Sequence, residues 1–407
     1  MSVNGHRMSV EAELRGALRR ELPAAVELRR ELHALPQVSG QEGPTLDRVL
    51  GALPAGTAER VAGTGAVVRV GGPGPAVAVR GELDALPITE RTGVPWAAVN
   101  GAMHACGHDV HLAAVTALAR AVAGVTPEHE TPLVAVLQPR EETFPSGALD
   151  VVASGALERH HVRAMIGAHV QPVLREGVVA CTPGPVNASS DEFRVSVQGA
   201  EGHAAYPHLT RDPVFAMAQV IVAAQQLASR AADPMVPTVV TFGTVNAGTT
   251  PNAIPGEAVA RGTLRTMSES WRERLHHRFA QVVQDTARAC GCVAEVEILP
   301  GEPILVNDPA LAVRAAERLR EQGWTVNEEL RSCGADDFAR YGDVAPSLMM
   351  FVGVDTAAGL HSPEFLPDDA SVGAVAEALL AGYLAASPST SGMMSSSSRT
   401  SASSRNT

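Results

Sequence analysis

The sequence contains no lysine, so all 32 of its basic side chains are arginine. Schiff-base chemistry, pyridoxal-phosphate attachment and the P-loop type of phosphate binding each need a primary amine at a fixed place. Those classes of enzyme are therefore excluded. Histidine, cysteine and carboxylate side chains remain as the groups that carry any chemistry.

Aromatic residues are also scarce, at 3% of the chain, and the formal net charge is -12. Nucleic acid is not expected as a partner, because single-strand binding needs stacking platforms and positive charge. No apolar stretch approaches the roughly 20 residues that cross a bilayer, and the N-terminus lacks a signal-peptide core. We expect a cytoplasmic protein without membrane contact, and its five scattered cysteines fit a reducing compartment.

At 407 residues the chain exceeds the usual size of one hydrophobic core. Hydrophobic periodicity predicts an α/β series. Its helices are expected at 11–32, 111–123, 146–157, 308–322 and 371–386, and its strands at 66–70, 76–80, 132–137, 164–168 and 348–352. The first two strands are separated by a hairpin-like, glycine-rich turn at 71–74.

A second pattern interrupts this series. Alternating strands at 192–197, 238–245, 258–265 and 293–299, with helices at 212–230 and 269–290, predict two helices on a four-stranded antiparallel sheet. The predicted boundaries are 1–186 and 300–386 for the two parts of the larger domain, 187–299 for the inserted domain, and 387–407 for a disordered Ser-rich tail.

One short segment concentrates metal-ligating side chains. In His104-Ala-Cys106-Gly-His108-Asp109 a thiol, two imidazoles and a carboxylate lie within six positions, and His111 follows. Burying so many polar groups without a shared ligand is costly. The segment therefore predicts a metal site rather than ordinary packing.

Further polar side chains follow three predicted strands. Glu141-Glu142 comes after strand 133–137, His169 after strand 164–168 and Asp84 after strand 76–80. Open α/β sheets bind their ligands at the carboxyl ends of the strands, so we expect these residues at one edge. Neighbouring loop residues point in different directions, so one glutamate can bind metal while the other acts as general base.

The number of ligands favours two metal ions. If Cys106 and one solvent oxygen are shared, and His108, Glu142, His169 and His361 are terminal ligands, about eight coordination positions are filled, enough for two four-coordinate ions. Thiolate, imidazole and carboxylate suit zinc, while manganese, cobalt or nickel compete by availability.

Four segments carry a resemblance to a known family. They are Val79-Arg-Gly-Glu-Leu-Asp-Ala-Leu-Pro87, Gly101-Ala-Met-His-Ala-Cys-Gly-His-Asp109, Gln138-Pro-Arg-Glu-Glu142 and Leu360-His-Ser-Pro-Glu-Phe365. The chain resembles the aminoacylase, hippurate hydrolase and indoleacetyl-amino-acid hydrolase group of zinc-peptidase-like amidohydrolases over about residues 24 to 385. The resemblance implies a zinc-peptidase-like α/β catalytic domain with an inserted dimerisation or lid domain.

The resemblance also implies roles for individual residues. It makes Cys106, His108, Glu142, His169 and His361 the metal ligands, Glu141 the general acid/base, Asp84 a group that orients a ligand, His203 a contact to the scissile carbonyl, and Asn252 and Arg265 contacts near the substrate carboxylate. It implies two divalent ions per subunit, zinc or manganese first, and a homodimer or larger homo-oligomer.

Three positions depart from the family pattern. Glu82 stands where Asp is usual, Arg140 where Ala is usual, and Asp336 where a Glu is usual. Arg140 lies next to the proposed base, so we expect it to affect the pKa of that base or the shape of the substrate pocket.

The expected activity is hydrolysis of an N-acyl amino acid or a related small amide with a carboxylate, by water that the metals activate. One alternative is a cysteine hydrolase with Cys106 as nucleophile and His108 as its base, which would survive a chelator. Another is a non-catalytic protein that binds a metal or an amino acid, which would bind ligand without turnover.

Overall fold

The computed structural model describes residues 2–125 and 131–387, so the predicted Ser-rich tail lies almost entirely outside the described residues. The helices are α1 (Ser2–Ala34), α2 (Gly43–Ala52), α3 (His108–Val125), α4 (Gly147–Ala153), α5 (Ala156–Arg159), α6 (Pro213–Ala224), α7 (Glu269–Ala289), α8 (Pro309–Glu321) and α9 (Ala370–Ala386). In these two ranges no helix is both long and apolar enough to cross a membrane.

The strands are β1 (Thr57–Val61), β2 (Gly65–Val70), β3 (Ala76–Glu82), β4 (Leu133–Gln138), β5 (Val162–Gln171), β6 (Val178–Ala180), β7 (Gly184–Asn187), β8 (Asp191–Gln198), β9 (Gly202–His203), β10 (Thr238–Ala247), β11 (Ala253–Ile254), β12 (Glu257–Thr266), β13 (Val293–Pro300), β14 (Leu305–Asn307), β15 (Thr325–Asn327) and β16 (Ser347–Gly353).

Eight of these strands form a mixed sheet in the order β1-β2-β4-β3-β5-β16-β6-β15. Its central strands β4, β3, β5 and β16 run parallel to one another. Every residue of β3 and β4 is buried, as expected of strands covered on both faces. Helices α1, α3, α8 and α9 cover one face, and α4, α5 and a short 3-10 helix at 337–343 lie on the other. The predicted α/β fold is thereby confirmed.

The predicted hairpin between the strands expected at 66–70 and 76–80, which are β2 and β3, is wrong. Strand β4 lies between β2 and β3, pairing antiparallel with β2 and parallel with β3. Both β2 and β3 are almost wholly buried, so each is stabilised by having a paired strand on either side. The glycine-rich turn at 71–74 changes the direction of the chain without pairing the two strands.

Several element boundaries also differ from the prediction. The helix expected at 146–157 is two short helices, because Gly155 adopts a left-handed conformation with φ of 68° between them. The helix expected to reach residue 230 ends at Ala224 and is followed by a wider π-type turn at Leu227–Ala231. Strand β1, helix α2 and the short strands β6, β7, β14 and β15 were not predicted.

The second module contains an antiparallel sheet in the order β10-β12-β8-β13. Helices α6 and α7 pack on one face of this sheet and form a separate apolar core, in which the rings of Phe193 and Phe279 lie 4.5 Å apart. The chain passes into and out of this module through β7 and β14, which pair with each other. The module is therefore reached through two neighbouring segments of chain, and the exact boundaries 187 and 299 stay a prediction.

Gly262 in β12 is a sensitive position in this module. A Cβ atom there would clash with the backbone oxygen of Thr241 and with the ring of Phe193. We predict that Gly262→Ala lowers the free energy of unfolding by about 2 kcal/mol, as overpacking does. Gly243→Ala is the matched control, because a Cβ there has its nearest neighbour 3.9 Å away. Urea unfolding of both variants tests this, and equal stability would contradict the packing.

Candidate metal centre

The three strands β4, β3 and β5 are neighbours and parallel, so their carboxyl ends meet at one edge of the sheet. Asp84 follows β3, and Glu141 and Glu142 follow β4. His169 lies inside the last residues of β5, which continues to Gln171, and not after the strand as predicted. The structure thus brings the strand-end residues together.

The Cys106–His108 segment reaches this edge through a tight turn. Gly107 has φ of 82°, and a Cβ at this position would lie 2.5 Å from Cγ2 of Val170, so glycine meets both a conformational and a steric requirement. His108 is the first residue of α3. His361 comes from a loop and is fixed by its backbone N–H, which donates to the carbonyl oxygen of Ala105.

The five predicted ligands lie within reach of one another. The Sγ of Cys106 is 3.4 Å from Nε2 of His169, and Oε1 of Glu142 is 3.4 Å from Nε2 of His361. Nε2 of His108 lies 4.0 Å from Oε1 of Glu142. Cys106, Glu142 and His361 form one group of ligand atoms within 4.8 Å, and His108, Glu141 and Glu142 form another.

Unpartnered buried atoms show that this donor set fits metal ions. Nδ1 of His108 donates to the backbone oxygen of Asp84 at 2.9 Å, which directs the lone pair of Nε2 into the site. That Nε2 atom and Oε1 of Glu142 are buried without a hydrogen-bond partner. Because burying unpaired polar atoms costs free energy, a cation between them accounts for the arrangement.

The charges of the site also fit the binding of metal ions. Burial raises the pKa of the Cys106 thiol well above its usual value, and the neighbouring carboxylates of Glu142 and Glu141 raise it further. A thiolate among carboxylates therefore needs compensating positive charge. Thiolate, imidazole and carboxylate together are a donor set that divalent transition ions prefer.

The two glutamates differ in their electrostatics. Burial, and then the charge of Asp336, raise the pKa of Glu141 well above its usual value. For Glu142 burial acts in the same direction, but the neighbouring imidazole of His361 and the charge of His108 bring the pKa below the usual value. Two adjacent carboxyl groups thus have different proton affinities, as a division into base and ligand requires.

Asp84 holds the loop that carries both glutamates. Its carboxylate accepts hydrogen bonds from the backbone N–H groups of Glu141, at 3.1 Å, and Glu142, at 3.0 Å. It also accepts from the hydroxyl of Ser39 at 2.7 Å. Asp84 therefore orients two residues of the site through the backbone, in addition to the contact between its own carbonyl oxygen and His108.

Sequence reasoning missed a buried ionic network behind the site. The guanidinium of Arg80, in the centre of the large sheet, forms ion pairs with Glu82, Asp336 and Asp337. Asp337 also accepts from the side-chain amide of Gln138. The charged residue Arg80, directly after the apolar run Ala76–Val79, was a local signal of this network in the sequence.

His111 continues this network toward the metal ligands. Its Nδ1 lies 3.1 Å from Oε2 of Glu82, and its Nε2 accepts from the backbone N–H of Val170 at 3.0 Å. Both ring nitrogens are thus engaged, which leaves His111 no lone pair for a metal. It supports the strand segment next to His169 instead.

The unusual Arg140 does not face the site. Its guanidinium pairs with Asp150 on α4 and donates to the carbonyl oxygen of Pro145. The expected effect of Arg140 on the pKa of the base is therefore not supported. Burial raises the pKa of Glu141 most, and the charge of Asp336 is the next largest cause. The departures Glu82 and Asp336 both belong to the Arg80 network.

The three predicted substrate contacts lie on or beside the second module. His203 in β9 pairs with β11, and the backbone N–H of Ala204 donates to the carbonyl oxygen of Asn252 at 3.1 Å, so His203 and Asn252 are neighbours. His203 is exposed, and in the described part of the chain neither residue has a hydrogen bond or ion pair with the five ligands. Arg265 donates to the carbonyl oxygen of Cys333.

Comparison with known proteins supports the same chemistry. The profile of peptidase family M20/M25/M40 matches residues 78–381. The N-acetyl-L-cysteine deacetylase of Bacillus subtilis is 33% identical over 351 residues, covering 85% of this chain and 84% of that protein. The N-acetyldiaminopimelate deacetylase of Exiguobacterium sibiricum is 32% identical over 356 residues, covering 86% of this chain and 95% of that protein.

A solved structure agrees in fold over nearly the whole chain. The crystal structure of a dinuclear metal-binding peptidase of Bacillus subtilis, from the M20 family, has a TM-score of 0.79 and 29% sequence identity, and covers 90% of this chain and 98% of that one. The narrower assignment to the aminoacylase and hippurate hydrolase group stays a prediction.

The contacts of Asp84 predict a specific effect on metal binding. In Asp84→Asn the amide group replaces one acceptor, so one of the two loop N–H groups loses its partner and faces a donor. We expect metal affinity to fall about 10- to 100-fold, as for other residues that orient ligands.

Chelator competition measures this affinity. Ser39→Ala is the control, since it removes one contact of Asp84 and leaves both loop contacts in place. Wild-type affinity in Asp84→Asn would show that the loop does not depend on this carboxylate.

Proposed function

The chain belongs to peptidase family M20/M25/M40 and is a metal-dependent amidohydrolase, and we propose that its substrates are N-acyl amino acids, N-acetyl amino acids first. The observation that carries the proposal is the position of Glu141, a largely buried carboxyl group whose Oε2 lies 3.9 Å from the unpartnered Nε2 of His108. The two bacterial relatives, both deacetylases of N-acetylated amino acids by name, support the choice of acyl group.

We propose two divalent ions per subunit, zinc or manganese first, with cobalt or nickel as further possibilities. Cys106, His108, Glu142, His169 and His361 would hold them. When bound, such ions polarise a carbonyl group and lower the pKa of water. The orphaned lone pairs of His108 and Glu142 support this set.

The protein's own groups then have separate tasks. Glu141 takes the proton from the attacking water and delivers it to the leaving amine, so its carboxyl group ends the cycle as it began. His203 donates to the carbonyl oxygen as negative charge develops there. Arg265 binds the carboxylate of the amino acid part, and Asn252, which lies beside His203, is a further substrate contact. Asp84 acts as a positioning residue through the loop of Glu141.

We also propose that the inserted domain, 187–299, forms a homodimer and that His203 serves the site of the other subunit. Large apolar side chains are exposed on α6 at Val214, Phe215 and Val222. Strand β10 is an edge of its sheet and exposes Val245. Exposed apolar surface beside a free sheet edge is typical of an interface between subunits.

The cysteine-nucleophile alternative has less support. It requires His108 or His169 to take a proton from Cys106, and it leaves Glu142 and His361 without a task. The raised pKa of the Cys106 thiol also opposes a free thiolate. Activity that survives complete removal of divalent metal would favour this alternative over the proposed one.

The role of Glu141 is tested by Glu141→Gln, which preserves its shape and removes its proton-carrying group. We expect kcat for N-acetylcysteine to fall at least about 1,000-fold, within the range attributed to general acid-base catalysis, with about the same metal content as the wild type. Glu321→Gln, on the exposed side of α8, is the control. Turnover close to the wild-type rate in Glu141→Gln would overturn the assignment.

The cross-subunit role of His203 is tested by mixing two inactive variants. His203→Ala and Glu141→Gln each lack one component, and a mixed dimer contains one site with both. After unfolding and refolding together at equal concentrations, we expect about a quarter of the wild-type activity per chain. No recovery, in a mixture that contains mixed dimers by mass spectrometry, would place His203 in its own subunit.

A further inference from the structure

Glu42, directly before α2, is a fully buried carboxylate. Its oxygens accept hydrogen bonds from three uncharged donors: the backbone N–H of Gly40 at 2.8 Å, the backbone N–H of Arg140 at 2.9 Å and the hydroxyl of Thr64 at 2.6 Å. In the ranges 2–125 and 131–387, no basic side chain forms an ion pair with it. Because burying an unpaired charge is costly, this carboxylate requires an explanation beyond packing.

One of these donors begins the loop that carries both glutamates of the site. The N–H of Arg140 donates to Oε1 of Glu42, while the next two N–H groups, of Glu141 and Glu142, donate to the two oxygens of Asp84 at 3.1 Å and 3.0 Å. Three consecutive N–H groups are thus bound by two buried carboxylates. Asp84 fixes the second and third of these peptide groups, and Glu42 fixes the first.

The conformation of Arg140 explains why the first peptide group needs a partner. Its φ is 52°, in the left-handed region that residues other than glycine adopt at a cost in free energy. The bond from its N–H to Glu42 and the bond from the N–H of Gly147 to its carbonyl oxygen, at 2.9 Å, hold it there. Since Glu141 is the next residue, a return of Arg140 to negative φ would turn both glutamates away from His108.

Glu42 has no access to a substrate. The cavity at the site, with a volume of about 580 Å³, is lined by Glu141, Glu142 and Asp336 among other residues, and Glu42 is not in its wall. The carboxylate of Glu42 is also fully buried. Any effect of Glu42 on the reaction must therefore pass through the backbone of Arg140.

We propose that Glu42 is a positioning residue for amide hydrolysis, because it holds Arg140 in the conformation that directs Glu141 and Glu142 at the metal centre. What this task requires is an acceptor oxygen at the right distance and not a negative charge. The inference rests on the proposed function, since it takes the tasks of Glu141 and Glu142 from there.

Two variants separate the reach of Glu42 from its charge. Glu42→Gln loses the charge but keeps an oxygen for the N–H groups of Gly40 and Arg140, and its amide N–H can donate to the hydroxyl of Thr64. Glu42→Asp keeps the charge but withdraws the carboxylate by about 1.5 Å, out of reach of Arg140. We expect kcat for N-acetylcysteine to stay close to the wild-type value in Glu42→Gln. In Glu42→Asp it should fall about 10- to 100-fold, with a smaller change in KM.

Two further variants control for loss of stability. Glu42→Leu removes the buried charge and keeps most of the volume, so it is suited to the buried position, and it should lower kcat as much as Glu42→Asp does. Thr64→Val is the matched control, because it removes the third contact of Glu42 and leaves the bond to Arg140 in place. It should lower Tm without lowering kcat. Rates are compared at saturating metal and at a temperature where circular dichroism shows each variant to be folded.

A merely structural role of Glu42 gives different results. Wild-type kcat in Glu42→Asp and Glu42→Leu, with Tm lowered as in Thr64→Val, would show that the loop does not depend on Glu42. Equal losses of kcat in Glu42→Gln and Glu42→Asp would also overturn the inference, since the charge and not the reach would then matter.

The failure of this inference is distinguishable from the failure of the proposed function. If the wild-type chain cleaves no N-acyl amino acid, the proposed function fails, and chelator competition tests Glu42 by itself. Metal affinity about 10-fold lower in Glu42→Asp than in Glu42→Gln supports the positioning role. Equal affinity in the two variants overturns it.

Discussion

Negative charge and unpartnered lone pairs concentrate at one edge of the central sheet, and the rest of the structure depends on how they are compensated. Cys106 and Glu142 bring acidic groups there, while His108 contributes a buried nitrogen without a hydrogen-bond partner. Burial makes this arrangement costly in the absence of cations. The folding of three segments from distant parts of the chain is thereby coupled to metal binding.

The surrounding residues make this arrangement rigid. Asp84 fixes the loop of Glu141 and Glu142, and the Arg80 network fills the space behind it with paired charges. Glu82 and His111 then connect Arg80 to the strand that carries His169. Buried hydrogen bonds therefore support the ligands from two sides, which is how metal sites generally keep their geometry.

The parts that could be predicted from the sequence are those with local signals. Glu141 and Glu142 follow an apolar strand, and Cys106 and His108 lie in a dense polar segment, so their place in the candidate site could be expected without knowledge of strand order. The insertion of β4 between β2 and β3 could not be foreseen, because it depends on which strands gain most from burial on both sides. Two of the three partners of Arg80, Asp336 and Asp337, are 256 and 257 residues away in the chain, beyond any local pattern.

The second module has exposed surfaces that take no part in the metal centre. Its apolar side is the proposed contact with a partner subunit, and its open face carries charged side chains. Both lie on one small sheet with a single apolar core. We propose that this one compact module serves both subunit association and substrate contact.

Anomalous diffraction from crystals grown with zinc or manganese tests the central claim most directly. The account predicts two peaks per chain, both within bonding distance of the Cys106 sulfur, one also bound by His361 and the other by His108 or His169. A single peak, or two peaks of which neither contacts Cys106, would contradict a dinuclear centre built on this cysteine.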